Sequence, residues 1–242
     1  MSPEDQQKCI DLTTEFYASV ASSFSATREA PWDGWREALS NCNLQKNLTV
    51  LDLACGNLRF EKFLIDEGYE IERAICLDNC PTLIDDLPEF LDYREVDFFK
   101  KGTGLFQKVD LTVCFGFMHH VPSFEKRLET LEFLVDSTNS NGYTIVSFWQ
   151  FLNEGRLVLK SKKATSQVCK QHSIKFDDEN DRFLHWQDDH SVARYCHNFS
   201  DDEISKLVDA VSDKTRTVNI FSEDGKLNNL NRYAVLQKNY SF

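Results

Sequence analysis

The feature that most constrains the fold is an apolar strand that ends in a glycine turn and leads into a helix. Residues 50–60 read VLDLACGNLRF, and the next apolar run, AICLD, ends on Asp78. A glycine between a strand and a helix allows a tight turn whose backbone amides face a ligand. An acid about 20 residues beyond such a turn can accept hydrogen bonds from ribose hydroxyls. The pattern predicts an α/β protein that binds a nucleoside-containing cofactor.

The remaining apolar runs predict a doubly wound, mostly parallel seven-stranded sheet with helices on both faces and an antiparallel C-terminal hairpin. Predicted strands alternate with helices, and their continuous apolar runs are typical of strands covered on both faces. The predicted strands are 48–53, 74–77, 93–96, 111–115, 143–148, 217–221 and 232–236. The predicted helices after the first 40 residues are 58–67, 81–90, 123–135 and 200–210, and Asn141-Gly142 is predicted to form a turn.

The length of 242 residues predicts one domain, residues 1–242, rather than several. Residues 1–40 are expected to form a helical N-terminal cap that is broken near Pro31. Residues 150–199 interrupt the alternation of strands and helices, and they are polar and charged. We expect them to form an insertion over the carboxyl edge of the sheet, where ligands bind.

Charge and cysteine content restrict the function classes. A net charge of −12 disfavours a general nucleic-acid binder. Residues 156–175 carry six cations and no acid, which fits either a solvated face or a local RNA-contacting patch. The cysteines include no CxxC pair, so buried reduced thiols and no metal site are expected. No apolar run approaches the roughly 20 residues of a membrane span, and the N-terminus is acidic, so a cytoplasmic protein without membrane contact is predicted.

Polar and aromatic residues follow the other predicted strands. Asp97 and Phe98 are predicted to contact an adenine amino group and ring. His119 and His120 follow the fourth strand, where they could orient a substrate or shuttle protons, or simply stabilise the loop. Ala54 is expected to cost little in the turn if its φ is negative.

Leu58 stands where a glycine-rich turn has its third glycine. We expect it to begin the following helix early and to pack inward. Leu58 also keeps open a different hypothesis, a binding protein of the same fold that has lost its cofactor.

The order of LDLACGN, LDN, VDFF, CFGFMHH and NGYTIVSFW resembles class I S-adenosylmethionine-dependent methyltransferases. Residues 17–39 further resemble the N-terminal signature of the tRNA wobble-uridine carboxymethyl methyltransferases. Matching positions in that signature are Tyr17, Phe24-Ser25, Thr27-Arg28 and Pro31-Trp32. The later segments SFWQF, RYCH and RYAVLQK are similar to segments of the same family. The resemblance spans about residues 14–238, and it departs at two glycines of the turn and at Cys196, where the family has tyrosine.

The resemblance implies S-adenosyl-L-methionine as the cofactor, a carboxylate on the wobble uridine of tRNA as the methyl acceptor, and a small activator subunit as a possible partner. A carboxylate is ionised at neutral pH, so it needs a cation to hold it rather than a base. Arg28 and Arg194 are the candidate cations, although either could be a structural ion-pair partner. His119 and His197 would orient the acceptor or close the pocket.

Methyl transfer to a small-molecule acid is the alternative that the acidic composition favours. A monomer, or a heterodimer with the activator, is expected rather than a large oligomer. The residues predicted to bind the cofactor are Arg28, Trp32, Asp52, Ala54, Cys55, Gly56, Asn57, Asp78, Asn79, Asp97, Phe98, Phe115, Gly116 and His120. The residues predicted to act in catalysis are Arg28, His119, Arg194 and His197.

Overall fold

The structure, a computed structural model, describes residues 1–83, 88–100, 107–187 and 189–240. The helices are α1 (Pro3–Ser25), α2 (Asp33–Ser40), α3 (Arg59–Asp66), α4 (Phe124–Asp136), α5 (Gly155–His172) and α6 (Asp201–Ala210). The strands are β1 (Asn47–Leu53), β2 (Glu70–Asp78), β3 (Leu91–Glu95), β4 (Val109–Cys114), β5 (Thr138–Trp149), β6 (Asp181–Trp186), β7 (Asp189–His197), β8 (Thr215–Glu223) and β9 (Asn231–Lys238). No helix in these ranges is long and apolar enough to cross a membrane.

Seven of the described strands form one sheet in the order β3-β2-β1-β4-β5-β9-β8. The pairs among β1 to β5 are parallel, whereas β9 is antiparallel to both β5 and β8. The strand order reverses between β1 and β4, and a crevice opens at the carboxyl ends of strands at such a point. The predicted fold class is therefore confirmed.

Helices cover both faces of the sheet. Successive residues of a strand point to opposite faces, so one strand contributes side chains to both cores. Leu51 and Leu53 of β1 pack with apolar residues of α4 and α6. Leu48 and Val50 of the same strand pack with apolar residues of α2 and α3. The continuous apolar run of β1 therefore serves two cores.

The segment predicted as an insertion contains α5 and a separate antiparallel hairpin, β6–β7. Helix α1 packs along β7, and α5 packs along β6. Cys9 of α1, Val168 of α5 and Tyr195 of β7 belong to one apolar cluster. The N-terminal helix and the insertion thus share a core of their own, beside the main sheet.

The Asn141-Gly142 pair does not form the predicted turn, because it lies inside β5. Asn141 has a φ of +65°, and the pairing of β4 with β5 changes register between Val109 and Leu111. A β-bulge accommodates an extra residue in this way without ending the strand. A Cβ on Gly142 would come within 2.7 Å of the Asp110 carbonyl oxygen, so the bulge requires glycine there.

One helix prediction needs correction, and another is confirmed. The helix expected at 81–90 begins at Pro81 as a short 3-10 turn, Pro81–Leu83, and residues 88–90 are not helical; residues 84–87 lie outside the described ranges. Helix α6 begins where predicted, with the Glu203 N–H donating to the Ser200 hydroxyl at 3.2 Å. The Glu203 carboxylate does not return to Ser200 but contacts His197 and Arg127.

Candidate functional site

A cavity lies at the carboxyl ends of β1, β2 and β4, under residues from α1 and the segment that leads into α2. It contains about 1140 Å³ of empty space, its open mouth included. Thirteen of the fourteen residues predicted to bind the cofactor line it: Arg28, Trp32, Asp52, Ala54, Cys55, Gly56, Asn57, Asp78, Asn79, Phe98, Phe115, Gly116 and His120.

The turn after β1 has left-handed backbone at three alternate positions. The φ angles are +64° at Ala54, +55° at Gly56 and +58° at Leu58, so the negative φ at which Ala54 would cost little is not adopted. The N–H groups of Ala54 and Cys55 both donate to the Leu77 carbonyl, at 2.7 and 3.2 Å, which ties the turn to β2. Non-glycine residues adopt this conformation at a cost of about 1–2 kcal/mol each, so surrounding contacts must hold the turn.

Leu58 packs inward and leaves the cavity open. It is the N-cap residue of α3 rather than the beginning of the helix. Its side chain is 3% exposed and belongs to an apolar cluster with Trp35, Phe60 and Leu64. Because Leu58 does not line the cavity, the missing third glycine removes no space from it.

Asp78 ends β2 and is fixed by two backbone donors. The Gly56 N–H donates to Oδ2 and the Cys80 N–H donates to Oδ1, each at 2.9 Å. Burial raises the pKa of the Asp78 carboxyl, and these hydrogen bonds only partly offset that increase. A carboxylate accepts at about four positions, so about two remain for the hydroxyl groups of a ligand.

A buried pair of carboxyls, Asp52 and Glu61, lies beneath the turn, with 3% and 1% of each residue exposed. Within the described ranges, Asp52 Oδ1 and Glu61 Oε2 meet no donor from another residue. Burial, and then the charge of Glu61, raises the pKa of Asp52, and burial also raises the pKa of Glu61. Two such carboxyls are stable together when they share one proton. Asp52 lines the cavity, whereas Glu61 does not.

Of the two residues predicted to contact adenine, Phe98 and Asp97, one lines the cavity and the other does not. Phe98 lines the cavity beside Phe99 and Phe117. Asp97 does not line it; its carboxylate accepts from the Phe99 N–H at 3.1 Å and lies 3.0 Å from Lys100 Nζ. The predicted contact of Asp97 with adenine stays a prediction, and its position favours a local turn-stabilising role.

Arg28 and Arg194 form no ion pair with an acid in the part of the chain that the structure describes. The Arg28 guanidinium carbon is 5.0 Å from the centre of the Phe24 ring and 5.9 Å from that of Trp186. Arg194 is 8% exposed, lies 4.9 Å from the Phe16 ring centre and 6.0 Å from that of Trp186, and has Nε and Nη1 without hydrogen-bond partners. Burial and the like charge of Arg194 lower the pKa of Arg28. An anion would relieve both effects.

Arg59 is a third cation at the cavity and was not predicted. It is the first residue of α3, and its guanidinium lies 4.9 Å from the Trp35 ring centre. Its Nη1 donates to the Ala30 carbonyl at 2.9 Å, and the described chain offers no acid to pair with it. Burial, and then the charge of Arg28, lowers the pKa of Arg59 to about 10.

His120 joins three elements through two hydrogen bonds. Its Nδ1 is 2.6 Å from the Tyr195 carbonyl oxygen, and its Nε2 is 2.9 Å from the Tyr17 hydroxyl. A carbonyl can only accept, so Nδ1 carries the proton and the Tyr17 hydroxyl donates to Nε2. Burial lowers the pKa of His120 to about 3, so the ring is neutral at physiological pH.

His119 lies behind His120 and does not line the cavity. Its ring centre is 4.0 Å from that of His120 and 4.8 Å from that of Trp149, and its Nδ1 has no partner among the described residues. His119, His120 and Cys196 place potential metal-ligand atoms within 4.8 Å of one another. Both nitrogens of His120 are already bonded, and the charge of Arg194 acts on both histidines. The three residues are therefore better suited to a structural, hydrogen-bonded role than to binding a metal ion.

His197 lies outside the cavity lining, in a buried charge network. Its Nδ1 is 2.8 Å from Asp181 Oδ1, and its Nε2 is 2.7 Å from Glu203 Oε2. Arg127 Nε lies 2.9 Å from the same Glu203 carboxylate, at Oε1. Burial alone would lower the pKa of His197, but the hydrogen bonds to the two acids raise it. The network joins the β6–β7 hairpin to α4 and α6.

Several lining residues were missed by the sequence analysis. They are Ile10, Thr13, Thr14, Tyr17, Phe24, Trp35, Arg59, Phe60, Phe99 and Phe117, together with Leu53, Leu77, Leu83 and Val96. Tyr17 and Phe24 belong to the N-terminal segment that carries the family resemblance, so they could have been proposed from it. Arg59 directly follows the turn, where a helix N-terminus faces the ligand.

Solved structures with this fold are S-adenosylmethionine-dependent methyltransferases, although no family model and no curated protein matches the sequence. The matched chain of a Haloferax volcanii complex between the Trm112 methyltransferase activator and a methyltransferase has a TM-score of 0.64 and 13% identity, covering 95% of this chain and 99% of that one. A Methanosarcina mazei S-adenosylmethionine-dependent methyltransferase has a TM-score of 0.60 and 14% identity, covering 87% and 99%.

A third similar structure contains ligands. It is the Burkholderia thailandensis 1,6-didemethyltoxoflavin-N1-methyltransferase with bound 1,6-didemethyltoxoflavin and S-adenosylhomocysteine, with a TM-score of 0.60 and 13% identity, covering 97% of this chain and 91% of that one. At these identities the comparisons show that the chain has the class I methyltransferase fold.

Proposed function

We propose that this protein is an S-adenosylmethionine-dependent methyltransferase whose acceptor is a carboxylate, on the wobble uridine of tRNA. The observation that carries the proposal is the pairing of the fixed Asp78 carboxylate with the glycine turn at the edge of one cavity. Gly56 has no atom within 4 Å of the position of a Cβ, so ligand atoms can approach its backbone. These features suit the ribose and methionine parts of the cofactor.

The three unpaired arginines support an anionic acceptor. Buried cations without counter-charges destabilise a folded protein. Arg194 is buried, Arg28 and Arg59 are half-buried, and all three lie at or beside the cavity among aromatic rings. A carboxylate placed near Arg28 and Arg194 would neutralise part of this charge. Aromatic neighbours such as Phe24 and Trp186 are suited to stack on a nucleobase that carries it.

Methyl transfer to a carboxylate is mainly a matter of positioning. When bound, S-adenosylmethionine supplies a methyl group that is electrophilic because it is attached to a sulfonium. Arg28 and Arg194 hold the acceptor carboxylate so that one oxygen stays free to attack. The carboxylate is already ionised, so no residue has to remove a proton, which agrees with a neutral His120 whose nitrogens are both engaged. The aromatic walls exclude water.

The activator that accompanies the Haloferax volcanii methyltransferase is a further candidate partner for this chain. A small-molecule acid is the second candidate acceptor, and the net charge of −12 favours it. One assay distinguishes the two acceptors: labelled S-adenosylmethionine is incubated with the purified protein and either total tRNA or a set of small carboxylic acids. Labelled methyl ester in nucleosides from the tRNA supports the tRNA proposal, and ester formed on small acids alone contradicts it.

Two variants separate cofactor binding from acceptor binding. Asp78→Asn should weaken S-adenosylmethionine binding at least tenfold in calorimetry, whereas the exposed control Asp66→Asn should not change it. Arg194→Met should abolish methyl transfer while cofactor affinity is kept, and Arg194→Lys should recover part of it because the charge is restored. Failure of the wild-type protein to bind S-adenosylmethionine at millimolar concentration would overturn the proposed function.

A further inference from the structure

The outer face of α5 carries a line of basic residues. Arg156, Lys160, Lys163 and Lys170 follow one another at intervals of four, three and seven residues, and all are exposed. At 3.6 residues per turn these spacings place the four side chains within roughly 80° of the helix circumference. We call these four residues the basic stripe.

The charge of α5 is not compensated within the helix. Residues 155–172 contain five cations, the basic stripe and Lys162, and no acid. Within the described ranges their single ion pair joins Arg156 to Glu154 at 3.8 Å. Because the chain as a whole carries −12, subtracting the +5 of this helix leaves −17 on the remaining residues. Positive charge is thus concentrated on one face of an acidic protein.

An adjacent face of α5 is fixed to the protein. Ser161, Ala164 and Val168 are buried, and the last two pack in the cluster shared with β6 and β7. The core therefore uses the apolar side of the helix, and Leu159, 72% exposed, is the one large apolar side chain that α5 exposes. Such a surface lacks the apolar face with which an interfacial helix enters a membrane.

The N-terminal end of the basic stripe is connected to Arg194 through packed side chains. Leu157, next to Arg156, packs in a cluster with Trp149 and Cys196. Trp149 in turn contacts the His119 ring and lies 5.8 Å from the Arg194 guanidinium. A polyanion lying along α5 would therefore have its end near Arg194.

We propose that the basic stripe of α5 is a docking surface for the phosphate backbone of an RNA, one nucleotide of which enters the cavity. The inference rests on the proposed function, since it supplies the surface that an RNA acceptor requires. A protein with a net charge of −12 repels RNA at long range, so binding must be confined to a surface where cations are local and uncompensated.

The test is the salt dependence of tRNA binding. The variant Lys160→Glu/Lys163→Glu/Lys170→Glu is compared with Lys46→Glu/Lys62→Glu/Lys206→Glu, which alters net charge equally at exposed lysines elsewhere. Each phosphate contact contributes about 0.7–0.9 to the slope of log K against log salt concentration. Reversal of the basic stripe should reduce that slope by about 2–3 and weaken total tRNA binding at 50 mM salt at least tenfold more than the control.

The remaining outcomes distinguish this proposal from the proposed function. Equal weakening by both triple variants would show a net-charge effect and would overturn the docking surface. Absence of tRNA binding, or stripe-dependent binding to phosphatidylserine vesicles instead, would overturn it as well. In each case S-adenosylmethionine binding and ester formation on small acids are measured in parallel. Their persistence would leave S-adenosylmethionine-dependent methyl transfer standing, whereas absence of tRNA binding would also overturn the tRNA acceptor. Circular dichroism checks that both variants are folded.

Discussion

At the scale of single residues, the cofactor turn combines three left-handed conformations with two non-glycine side chains. Ala54 and Leu58 have the same backbone conformation as Gly56 but differ in what their side chains do. The Ala54 methyl group lines the cavity and gains little, whereas the Leu58 side chain fills a core. The same substitution to glycine should therefore have opposite effects at the two positions.

Ala54→Gly should raise the free energy of unfolding by about 1 kcal/mol, because relief of a left-handed alanine exceeds the entropy that glycine adds to the unfolded chain. Leu58→Gly should lower it by about 2–3 kcal/mol, because loss of a buried leucine outweighs the same relief. Urea unfolding of both variants measures the difference. Destabilisation by Ala54→Gly would contradict the described turn.

His197 gives the fold a pH dependence of definite sign. Its pKa is raised in the folded state, so its stabilisation is complete below the unfolded value of about 6.5 and is lost as pH rises through the folded pKa. His197→Gln should cost about 3 kcal/mol near pH 6, as expected for breaking a buried ion pair, and less at pH 9.

The free energy of unfolding from urea curves at pH 6, 7, 8 and 9 tests this. The control is His190→Gln, since His190 is exposed. The difference between wild type and His197→Gln should shrink with rising pH, while the difference for the control should stay flat. Parallel curves for all three proteins would show that His197 is not charged in the fold.

At the scale of elements, the sequence was most informative where apolar runs alone decide the structure. β1 and β4 were placed within two residues at each end because both lie inside the sheet and are mostly apolar and buried. β2 is longer than predicted, since its first residues, Glu70–Arg73, are mostly polar and three of the four still pair with β1. Pairing of that kind depends on the neighbouring strand, which a local pattern does not report.

Long-range contacts explain the larger omissions. The Asn141-Gly142 pair has the local signature of a turn, but pairing with β4 keeps it within a strand. Residues 181–197 alternate polar and aromatic residues without a clear turn signal, so their hairpin was not predicted. The catalytic role predicted for His197 stays a prediction. His197 is held outside the cavity lining by a network that includes Asp181 and Arg127, and a local sequence pattern does not reveal partners so far apart in sequence.

The hairpin and α1 are joined beside the acceptor end of the cavity. Trp186 Nε1 donates to the Ser23 hydroxyl at 3.0 Å, and its ring lies near both Arg28 and Arg194. Each cation–π contact is worth about 0.5–1 kcal/mol. Trp186→Ala should therefore raise the KM for the acceptor by roughly tenfold, because both guanidinium groups lose a supporting ring.

The affinity for S-adenosylmethionine should not change in Trp186→Ala, since Trp186 does not line the cavity. Ser23→Ala is the matched control, because it removes the hydrogen bond and keeps the ring. Equal effects of the two variants on KM would assign the role to the hydrogen bond. A lower cofactor affinity in Trp186→Ala would contradict the division between the two ends of the site.

At the scale of the whole molecule, acidic self-repulsion opposes the compact state. The chain carries 39 acidic and 27 basic side chains, and most of the described ion pairs have an exposed or half-exposed partner, where such pairs contribute little. The Debye length falls from about 30 Å at 0.01 M to about 8 Å at 0.15 M salt. The melting temperature should therefore rise by a few degrees over that range when measured with sodium chloride.

Replacing sodium chloride by a salt of the same ionic strength with another monovalent anion tests whether the effect is screening. Equal increases in melting temperature support it. A melting temperature that falls between 0.01 and 0.15 M salt would mean that the ion pairs outweigh the repulsion.

The position of β9 determines when this sheet can be completed during protein synthesis. β9 lies between β5 and β8, and β8 pairs with no other described strand. A nascent chain that has emerged only as far as residue 223 therefore has every parallel strand but leaves the edge of β5 open and β8 unattached. An open edge of this kind is a template for wrong pairing. Closure of the sheet therefore waits until residues 231–238 have been synthesised and β9 can pair with both β5 and β8.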